Sequence, residues 1–506
     1  MITAGEEAIV ARLEGAEPVG ELRRRLGAAA TETWIVGGTI RDAALGRDLI
    51  DFDLATAADP RRLARGLASE LGADIFGISS DFETWRVLAD GWQADISPLR
   101  GPEIVADLGE RDLTVNAIAM SLAGEGEVSA SGSAPVSLID PHGGLADLDA
   151  GVMRAVSDRS FTADPLRLLR LGRFASQFGL TVEPETEALA RAAAPRAAEP
   201  AGERQFTELR RLICGPDPLA GLALCERLGL TAVVLPELDA LHGIAQSGNH
   251  HLDTYDHTIE VLRRWLVIEA NLSDHVGDAA PAVSEAISEP LADELSRREG
   301  IRFSAVWHDV GKPATRTERE GWVSFKGHDR VGAEMIETLC RRLKTSRRFA
   351  AYQASLCRHH LTLGFMVKDR PLAPRRTWEY LAACGPEALD VTLLTIADRL
   401  SAQGGGVPPE AIEGHLELAA EMAAAAVEVE RGGAPPPLLR GGEIVELCGI
   451  EPGPTLGLAV AELAAAQYAG EVGGREGAVA HLREWAAGRG AVPGRGAAGG
   501  ADSPMQ

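Results

Sequence analysis

The chain has no run of apolar residues approaching the roughly 20 that a membrane-spanning helix requires, so no membrane partner is expected. Its first residues, MITAGEEAIVARLEG, lack the charged, apolar and small-residue layout of a secretory leader. Six cysteines (214, 225, 340, 357, 384 and 448) are scattered, with no CxxC pair. That usage fits reduced thiols filling cores in a cytoplasmic protein rather than a disulfide framework. A positive charge balance is also missing: 50 Lys and Arg against 74 Asp and Glu leave a net charge of −24. This excludes a surface that coats nucleic acid wholesale, and no DNA partner is expected. A local basic path remains open, because only local phosphate contacts supply binding energy. Arg154, Arg159, Arg167, Arg170 and Arg173 form such a cluster. There is no internal repeat.

What is present is an ordinary globular composition, 45% hydrophobic and 25% charged, in 506 residues. That length implies about three to four domains. Residues 1–30 read as an N-terminal amphipathic helix. Residues 31–150 carry the strand-like segments TWIVGG, LIDFDLAT, TWRVLA, WQADISPLR and VSLIDP, interleaved with helical RRLARGLASELG and LTVNAIAMSL. The stretch GEGEVSASGSAPVS reads as a polar, hairpin-like loop. From DPLRLLRLGRFASQFG onward the pattern is helical, with Leu166, Leu169, Phe174 and Phe178 as an apolar stripe and arginines projecting elsewhere. The acidic, small-residue-rich segment 273–296 reads as a mobile insertion, 403–409 and 431–440 as linkers, and 488–506 as a disordered tail. The fold class is therefore α+β: a small mixed-sheet head (31–150), a helical neck (151–245), a second helical domain (246–402) and a C-terminal helical region (403–487).

The chemistry begins at WIVGGTIRDAALGRDLIDFDLAT, residues 34–56. A short strand, a Gly37-Gly38 turn and a helix opening near Thr39 lead to a second strand carrying Asp51 and Asp53. Residues two apart on a strand face the same side, ~7 Å apart. Two such carboxylates, beside a helix N-terminus able to hold phosphate, suit a two-metal phosphoryl- or nucleotidyl-transfer site. An acidic surface loop explains the same residues. Three further clusters follow: RDLTVNAIA (111–119), DPHGGLADL (140–148) and FTADPLRLLRLGRFA (161–175).

In this order and spacing the four clusters resemble the class II tRNA nucleotidyltransferase and bacterial poly(A) polymerase family, over residues 30–215. The resemblance implies a polymerase β-like head, with GGTIRD…DFD as metal site, RDLTVNA as ribose motif, DPHGG joining head to neck, and DPLRLLRLGRF as base-reading helix. Asp51 and Asp53 would hold two Mg²⁺ ions, one acidifying a 3′-hydroxyl and the other neutralising pyrophosphate. Asp95 is a third carboxylate candidate on a neighbouring strand, or a surface ion-pair partner. Gly37 and Gly38 would let the backbone approach a triphosphate, and Arg41 would pair with its oxygens. Arg111 and Asn116 would reach triphosphate and sugar. Asp164 and Arg167, three apart on one helix face, would accept from an exocyclic amine and donate to a ring nitrogen. Cytosine and adenine offer that pattern; guanine and uracil do not, and each mispaired buried group costs about 1–3 kcal/mol. Arg170 and Arg173 continue the face for phosphate or stacking contacts, although a solvated arginine-rich face would look the same. The family usually has Glu where this chain has Ala163, and two arginines where it has Glu110-Arg111. Both departures bear on whether C, A or both are added.

A second constellation lies at 246–402: His257, His308-Asp309, His328, the pair His359-His360, and Asp398. It resembles the HD metal-dependent phosphohydrolase pattern, with His257, His308, Asp309 and Asp398 as metal ligands and His328 and His359 as auxiliaries. Imidazoles and carboxylates from separate helices can hold a divalent ion (Mg²⁺, Mn²⁺ or Ni²⁺) that activates water. Any one of these histidines alone would be structural. Lys312 could contact a phosphate or simply end a helix before Pro313. The resemblance implies hydrolysis of phosphate esters such as 2′,3′-cyclic phosphates. His242, His250 and His251 read as loop residues.

The leading expectation is template-independent addition of C and/or A, from CTP and ATP, to tRNA 3′ ends. A poly(A) polymerase acting on other RNA 3′ ends, or an enzyme adding only CC or only A, shares every motif. From another class, the HD site could be the catalyst and the head a non-catalytic nucleotide- or RNA-binding module. A tRNA-binding scaffold would leave both metal constellations unexplained.

Overall fold

In the computed structural model, residues 5–79, 83–123, 137–246, 252–320, 322–402, 408–433 and 436–490 are described. The readings made for residues 124–136, 250–251, 403–407, 434–435 and the tail beyond 490 fall outside them. The chain divides into two compact units, Met1–Pro236 and Glu237–Gln506.

In the first unit, helices α1 (Glu6–Glu14) and α2 (Glu17–Leu26) replace the single expected helix. They bury Ile9, Leu13, Val19, Leu22 and Leu26, and the break at Gly15-Ala16 is followed by Pro18 in the first turn of α2. A seven-stranded sheet follows: β1 (Thr33–Val36), β2 (Asp51–Thr56), β3 (Asp74–Ser79), β4 (Thr84–Ala89), β5 (Trp92–Pro98), β6 (Ala119–Ser121) and β7 (Leu138–Ile139). Its spatial order is β3-β4-β5-β2-β1-β6-β7, and only the central pair β2–β5 is parallel. The further helices described in this unit include α3 (Gly38–Ala44), α4 (Pro60–Leu71), α5 (Ile104–Gly109), α6 (Gly144–Ala150), α7 (Ser160–Ala163), α8 (Arg167–Phe178), α9 (Pro184–Ala193), α10 (Gly202–Ile213) and α11 (Pro218–Arg227), with a shorter one, Leu230–Val234, after them.

Two local expectations change, and one strand appears that the sequence reading did not name. LTVNAIAMSL is not a helix but one 3-10 turn, Thr114–Asn116, running into β6, where Val115, Ala117, Ile118, Ala119 and Met120 are all buried. A continuous apolar run has no period with which to choose helix from strand. DIFGIS forms β3, an edge strand that leaves Phe76 and Ile78 exposed. The neck motif is not one helix: α7 stops at Ala163, Asp164 is extended (φ −143°, ψ 101°), and α8 begins at Arg167. Pro165 accounts for the break, because it disfavours helical backbone at the residue before it and has no N–H to donate. Asp164 and Arg167 therefore do not share a helix face.

The second unit is mainly helical. Segment 273–296 is folded rather than a mobile insertion. It contains helix Ala280–Ser288 and the hairpin strands Pro290–Ala292 and Leu295–Ser296, and it buries Val276, Val283, Ile287 and Leu295. Val283 and Ile287, four apart on that helix, share its buried face, a pairing the acidic composition masked. Pro374–Ser401 is, by length and composition, apolar enough to cross a membrane, a property spread over a window rather than a continuous run. It is two helices broken at Gly385 (φ +61°), and 78% of its most apolar window is buried.

Candidate active site

In the first unit β2 pairs in parallel with β5, which sets Asp53 directly opposite Asp95. Asp51, Asp53 and Asp95 line one cavity of about 530 Å³, with Gly37, Gly38, Arg41, Arg111, Asn116, Asp164, Arg167, Arg170 and Arg173. Every residue expected at the head and neck thus lines one cavity. The volume falls within the range of small-molecule sites.

The glycine turn fits between charged groups. A Cβ at Gly37 (φ +64°) would stand 2.8 Å from Arg111 Nη1, so any other residue would strain the backbone and push that guanidinium aside. Gly38 N–H donates to Asp53 Oδ2 (3.2 Å). Thr39 Oγ1 donates to the Asp51 carbonyl (3.1 Å) and accepts from Asp53 N–H (2.9 Å), stitching α3 to β2. Burial, then the charge of Asp95, hold the Asp53 carboxyl above its usual range, against Arg111, Arg41 and Arg170. A carboxylate desolvated beside a second carboxylate is a site that a divalent cation relieves, so the residues present fit one. Asp95 keeps both roles left open for it: it faces Asp53, and Arg86 grips it with two bonds of 2.6 Å.

The RDLTVNA segment forms a lattice beneath the cavity. Arg111 is paired with Asp107 (2.8 Å). Asn116 accepts from Arg41 Nη1 (2.6 Å) and donates to Asp112 Oδ1 (3.0 Å). Arg170 Nε lies 2.8 Å from Asp112 Oδ2. Burial works against the Asp112 charge, but Arg170, the Asn116 bond and Arg167 outweigh it and bring its pKa to about 2. DPHGG is the clamp under this lattice. Asp140 accepts from Gly144 and Leu145 N–H (2.7 and 2.9 Å), opening α6, and Gly144 lets that helix press on Thr114.

At the neck, Arg204 from α10 donates to Asp164 Oδ2 (3.0 Å). Arg167 donates to the carbonyls of Arg111, Ser160 and Glu110 (3.2, 3.1 and 2.7 Å), which fixes its guanidinium at the head–neck seam. Arg173 pairs with Glu208 (2.8 Å), yet burial still lowers its pKa to about 9. Thr39, Asp112, Arg204 and Glu208 are parts of the site that sequence reasoning passed over. Asp112 was legible inside RDLTVNA, four residues before Asn116. Arg204 and Glu208 had no signal, since they arrive from a helix distant in the chain.

In the second unit five segments converge. His257 lies on helix Thr254–Ala270, opened by the Asp253 cap. His308-Asp309 follow helix Arg297–Trp307, which the Ser296/Glu299 capping box starts. His328 opens His328–Arg342, His360 directly follows Arg347–His359, and Asp398 lies on Ala388–Ser401. His257 Nε2 is 3.0 Å from Asp398 Oδ1 and 3.7 Å from Asp309 Oδ2. His308 Nε2 and His328 Nε2 stand 3.2 and 3.3 Å from the Asp309 carboxylate. His328 and His360 meet at 3.3 Å through their Nε2 atoms.

The expected auxiliary His359 is replaced by its neighbour. His360 is buried in the cluster, while His359 is half-buried outside it, its pKa lowered by burial and by Arg358 against the pull of Glu387. His308 Nδ1 and His328 Nδ1 approach backbone carbonyls (3.0 and 2.8 Å), which turns their Nε2 atoms inward. Burial, with His308 and His328 nearby, lowers the His360 pKa to about 4, so it is neutral at pH 7 as a metal ligand must be. His308 Nε2 is buried facing the Asp309 and Asp398 carboxylates, and the donor set fits a divalent ion. Lys312 is more than a helix end: Nζ is 2.6 Å from both Asp309 Oδ2 and Gln246 Oε1. Gly311 in DVGKP lets the His328 backbone approach, since a Cβ there would stand 2.2 Å from the His328 carbonyl oxygen.

Residues 33–154 match the poly A polymerase head domain, 179–241 the family described as "Probable RNA and SrmB- binding site of polymerase A", and 283–403 the HD domain. An A-adding tRNA nucleotidyltransferase of Deinococcus radiodurans is 37% identical over 464 residues, 89% of this chain and 95% of that protein. The chain belongs to the tRNA nucleotidyltransferase family. A CC-adding member from Thermus thermophilus is 33% identical over 467 residues, covering 90% and 94% of the two chains. The fold of this nucleotidyltransferase is that of the Thermotoga maritima CCA-adding enzyme complexed with tRNA (TM-score 0.57, 19% identity, 96% and 100% of the two chains). It is also that of the Bacillus stearothermophilus CCA-adding enzyme in complex with CTP (TM-score 0.58, 23% identity, 94% and 98%). Nucleotidyltransferase and HD domains use divalent metals in general, in keeping with both acidic clusters.

Proposed function

We propose that this nucleotidyltransferase adds C, A or both, from CTP and ATP, to the 3′ end of tRNA without a template. The observation that carries this reading is the single cavity shared by Asp51, Asp53, Asp95 and the neck residues Asp164 and Arg167. The three carboxylates would hold Mg²⁺, which supplies Lewis-acid activation of the 3′-hydroxyl and neutralisation of pyrophosphate. Arg41 and Arg111 bind the triphosphate beside the Gly37-Gly38 turn, and Asn116 meets the sugar. Asp164 accepts from the amine of cytosine or adenine, and Arg167 donates to the ring nitrogen. Arg170 and Arg173 line the approach. A head that merely binds nucleotides would have no need of three carboxylates aimed into that cavity.

The HD cluster is proposed as a phosphohydrolase site for phosphate esters such as 2′,3′-cyclic phosphates. His257, His308, Asp309 and Asp398 would hold Mg²⁺, Mn²⁺ or Ni²⁺, His328 and His360 would flank it, and Lys312 would meet the phosphate. None of the six cysteines, all among the described residues, is in a disulfide, in keeping with a cytoplasmic setting.

A second reading is addition of A alone or CC alone. It is favoured by the two partial-specificity relatives, which align over 89% and 90% of this chain. The test offers tRNA ending at the discriminator base, after one C and after CC, with each labelled NTP. Incorporation of only C and A, in template-like order and number, supports the proposal, and the acceptors extended separate full from partial addition. Long A runs on unrelated RNA would overturn it in favour of a poly(A) polymerase.

A further inference from the structure

The sequence places Phe174 and Phe178 in an apolar stripe, four residues apart on what becomes α8. In the structure that stripe does not end on apolar residues. The Arg41 guanidinium, from α3 in the head, lies 4.4 Å from the Phe178 ring centre and 5.2 Å from that of Phe174. The two rings are 5.6 Å apart, tilted 42°, so they form one aromatic wall. Arg47 also contacts Phe178 (4.9 Å), and Arg173 contacts Phe174 (4.5 Å).

The edges of Arg41 are held as well. Nη1 donates to Asn116 Oδ1 (2.6 Å), and Nε and Nη2 donate to Asp42 Oδ1 (3.2 and 3.0 Å). Nη2 also comes within 3.5 Å of where a Gly38 Cβ would stand, so this guanidinium overhangs the glycine turn beside Asp53. A planar cation with its face on aromatic rings and its edges bonded has few orientations left, and cation–π attraction is strongest where water is excluded. Neither ring lines the cavity, whereas Arg41 does.

We infer that Phe178, backed by Phe174, is a positioning residue that holds Arg41 in register for an incoming triphosphate. The wall belongs to the neck and the guanidinium to the head, so the helix proposed to read the base also sets the group that receives the phosphates. The inference rests on the proposed nucleotidyl-transfer reading. Phe174 is fully buried and serves the core too; Phe178 is half-buried at the helix end, so it is the residue to change.

The experiment compares Phe178→Leu, which keeps apolar bulk but removes the ring, with Phe178→Tyr, which restores it, in the full-length enzyme. Nucleotide KM and kcat are measured on the tRNA acceptor that the unaltered enzyme extends, and Tm is measured alongside. Phe178→Leu is expected to raise nucleotide KM about 5- to 20-fold with kcat changed by less than about 3-fold, the scale of one to two kcal/mol of lost cation–π contact. Phe178→Tyr returns KM to within about 2-fold. In an Arg41→Lys background, where the only guanidinium still on the Phe178 ring is that of Arg47, which does not line the cavity, Phe178→Leu adds less than about 2-fold. An unchanged KM, a loss confined to kcat with lowered Tm, or an undiminished effect in the Arg41→Lys background would each overturn the inference. Absence of nucleotide addition by the unaltered enzyme would instead refute the function on which it rests.

Discussion

Gly144 in DPHGG offers a stringent test, because what crowds it is backbone. A Cβ on Gly144 would stand 2.1 Å from the Thr114 carbonyl oxygen, 2.7 Å from its carbon and 3.0 Å from Ile118 Cγ1. Carbon and oxygen approach no closer than about 3.3 Å even in favourable C–H···O contacts, so α6 and the Thr114 turn must part by roughly 1 Å. Thr114 cannot move alone: its hydroxyl donates to Asp147 (2.7 Å), and Asn116, two residues on, carries the bonds to Arg41 and Asp112. Overpacking usually costs 1–3 kcal/mol, and with a backbone neighbour Gly144→Ala should reach about 3 kcal/mol or more. A displacement of that size at Asn116 should lower nucleotide addition by about 100-fold. Gly143→Ala is the internal control. Gly143, unlike Gly144, is left-handed (φ +72°), but nothing stands within 4 Å of its Cβ position, so only about 1–2 kcal/mol of backbone strain is expected. Urea unfolding of the first unit and nucleotide incorporation would be followed for both variants. Equal stability losses, or a Gly144→Ala enzyme with unaltered activity, would refute the close-approach argument.

Asp53→Ala should reduce nucleotide addition by about 10³-fold or more while phosphodiesterase activity persists; His308→Ala with Asp309→Ala should do the reverse and lower bound divalent metal by elemental analysis. If Asp53→Ala leaves addition intact, the three-carboxylate assignment is wrong. Asp164→Asn replaces an acceptor edge by an amide that can also donate, so rejection of G and U should weaken by about 10- to 100-fold in competition with all four NTPs. Asp112 is held near pKa 2 in the folded protein against 3.8 for the unpaired group, a difference of about 2 kcal/mol. Because the folded pKa is depressed, that stabilisation is present above pH ~4 and lost as pH falls through about 2. Asp112→Asn should therefore cost about 2 kcal/mol in denaturant unfolding at pH 7 and progressively less below pH 4; a pH-independent difference would refute the linkage.

Sequence alone settled what depends on short spacing. Asp51 and Asp53 share a cavity because a strand repeats every two residues, and β2 forms where its apolar residues alternate with them. His308-Asp309 and Asp398 were legible through their resemblance to the HD pattern, and the fold brings both carboxylates within 4.0 Å of His308 Nε2. Pro165 was equally visible, and its consequence for Asp164 needed only the rule for residues before proline.

Tertiary structure decided the rest, wherever the answer depended on which distant segment arrives. Between His359 and His360 composition offers no choice; the end of helix Arg347–His359 turns the second one into the cluster. The period of α8 marks Phe178 as apolar, but only the packing of α3 against it reveals that its partner is a guanidinium. Arg204 reaches Asp164 across 40 residues, and Glu208 reaches Arg173 from the same helix. Local rules specify a side chain's type and facing, whereas its electrostatic partner is set by long-range packing that no short spacing encodes.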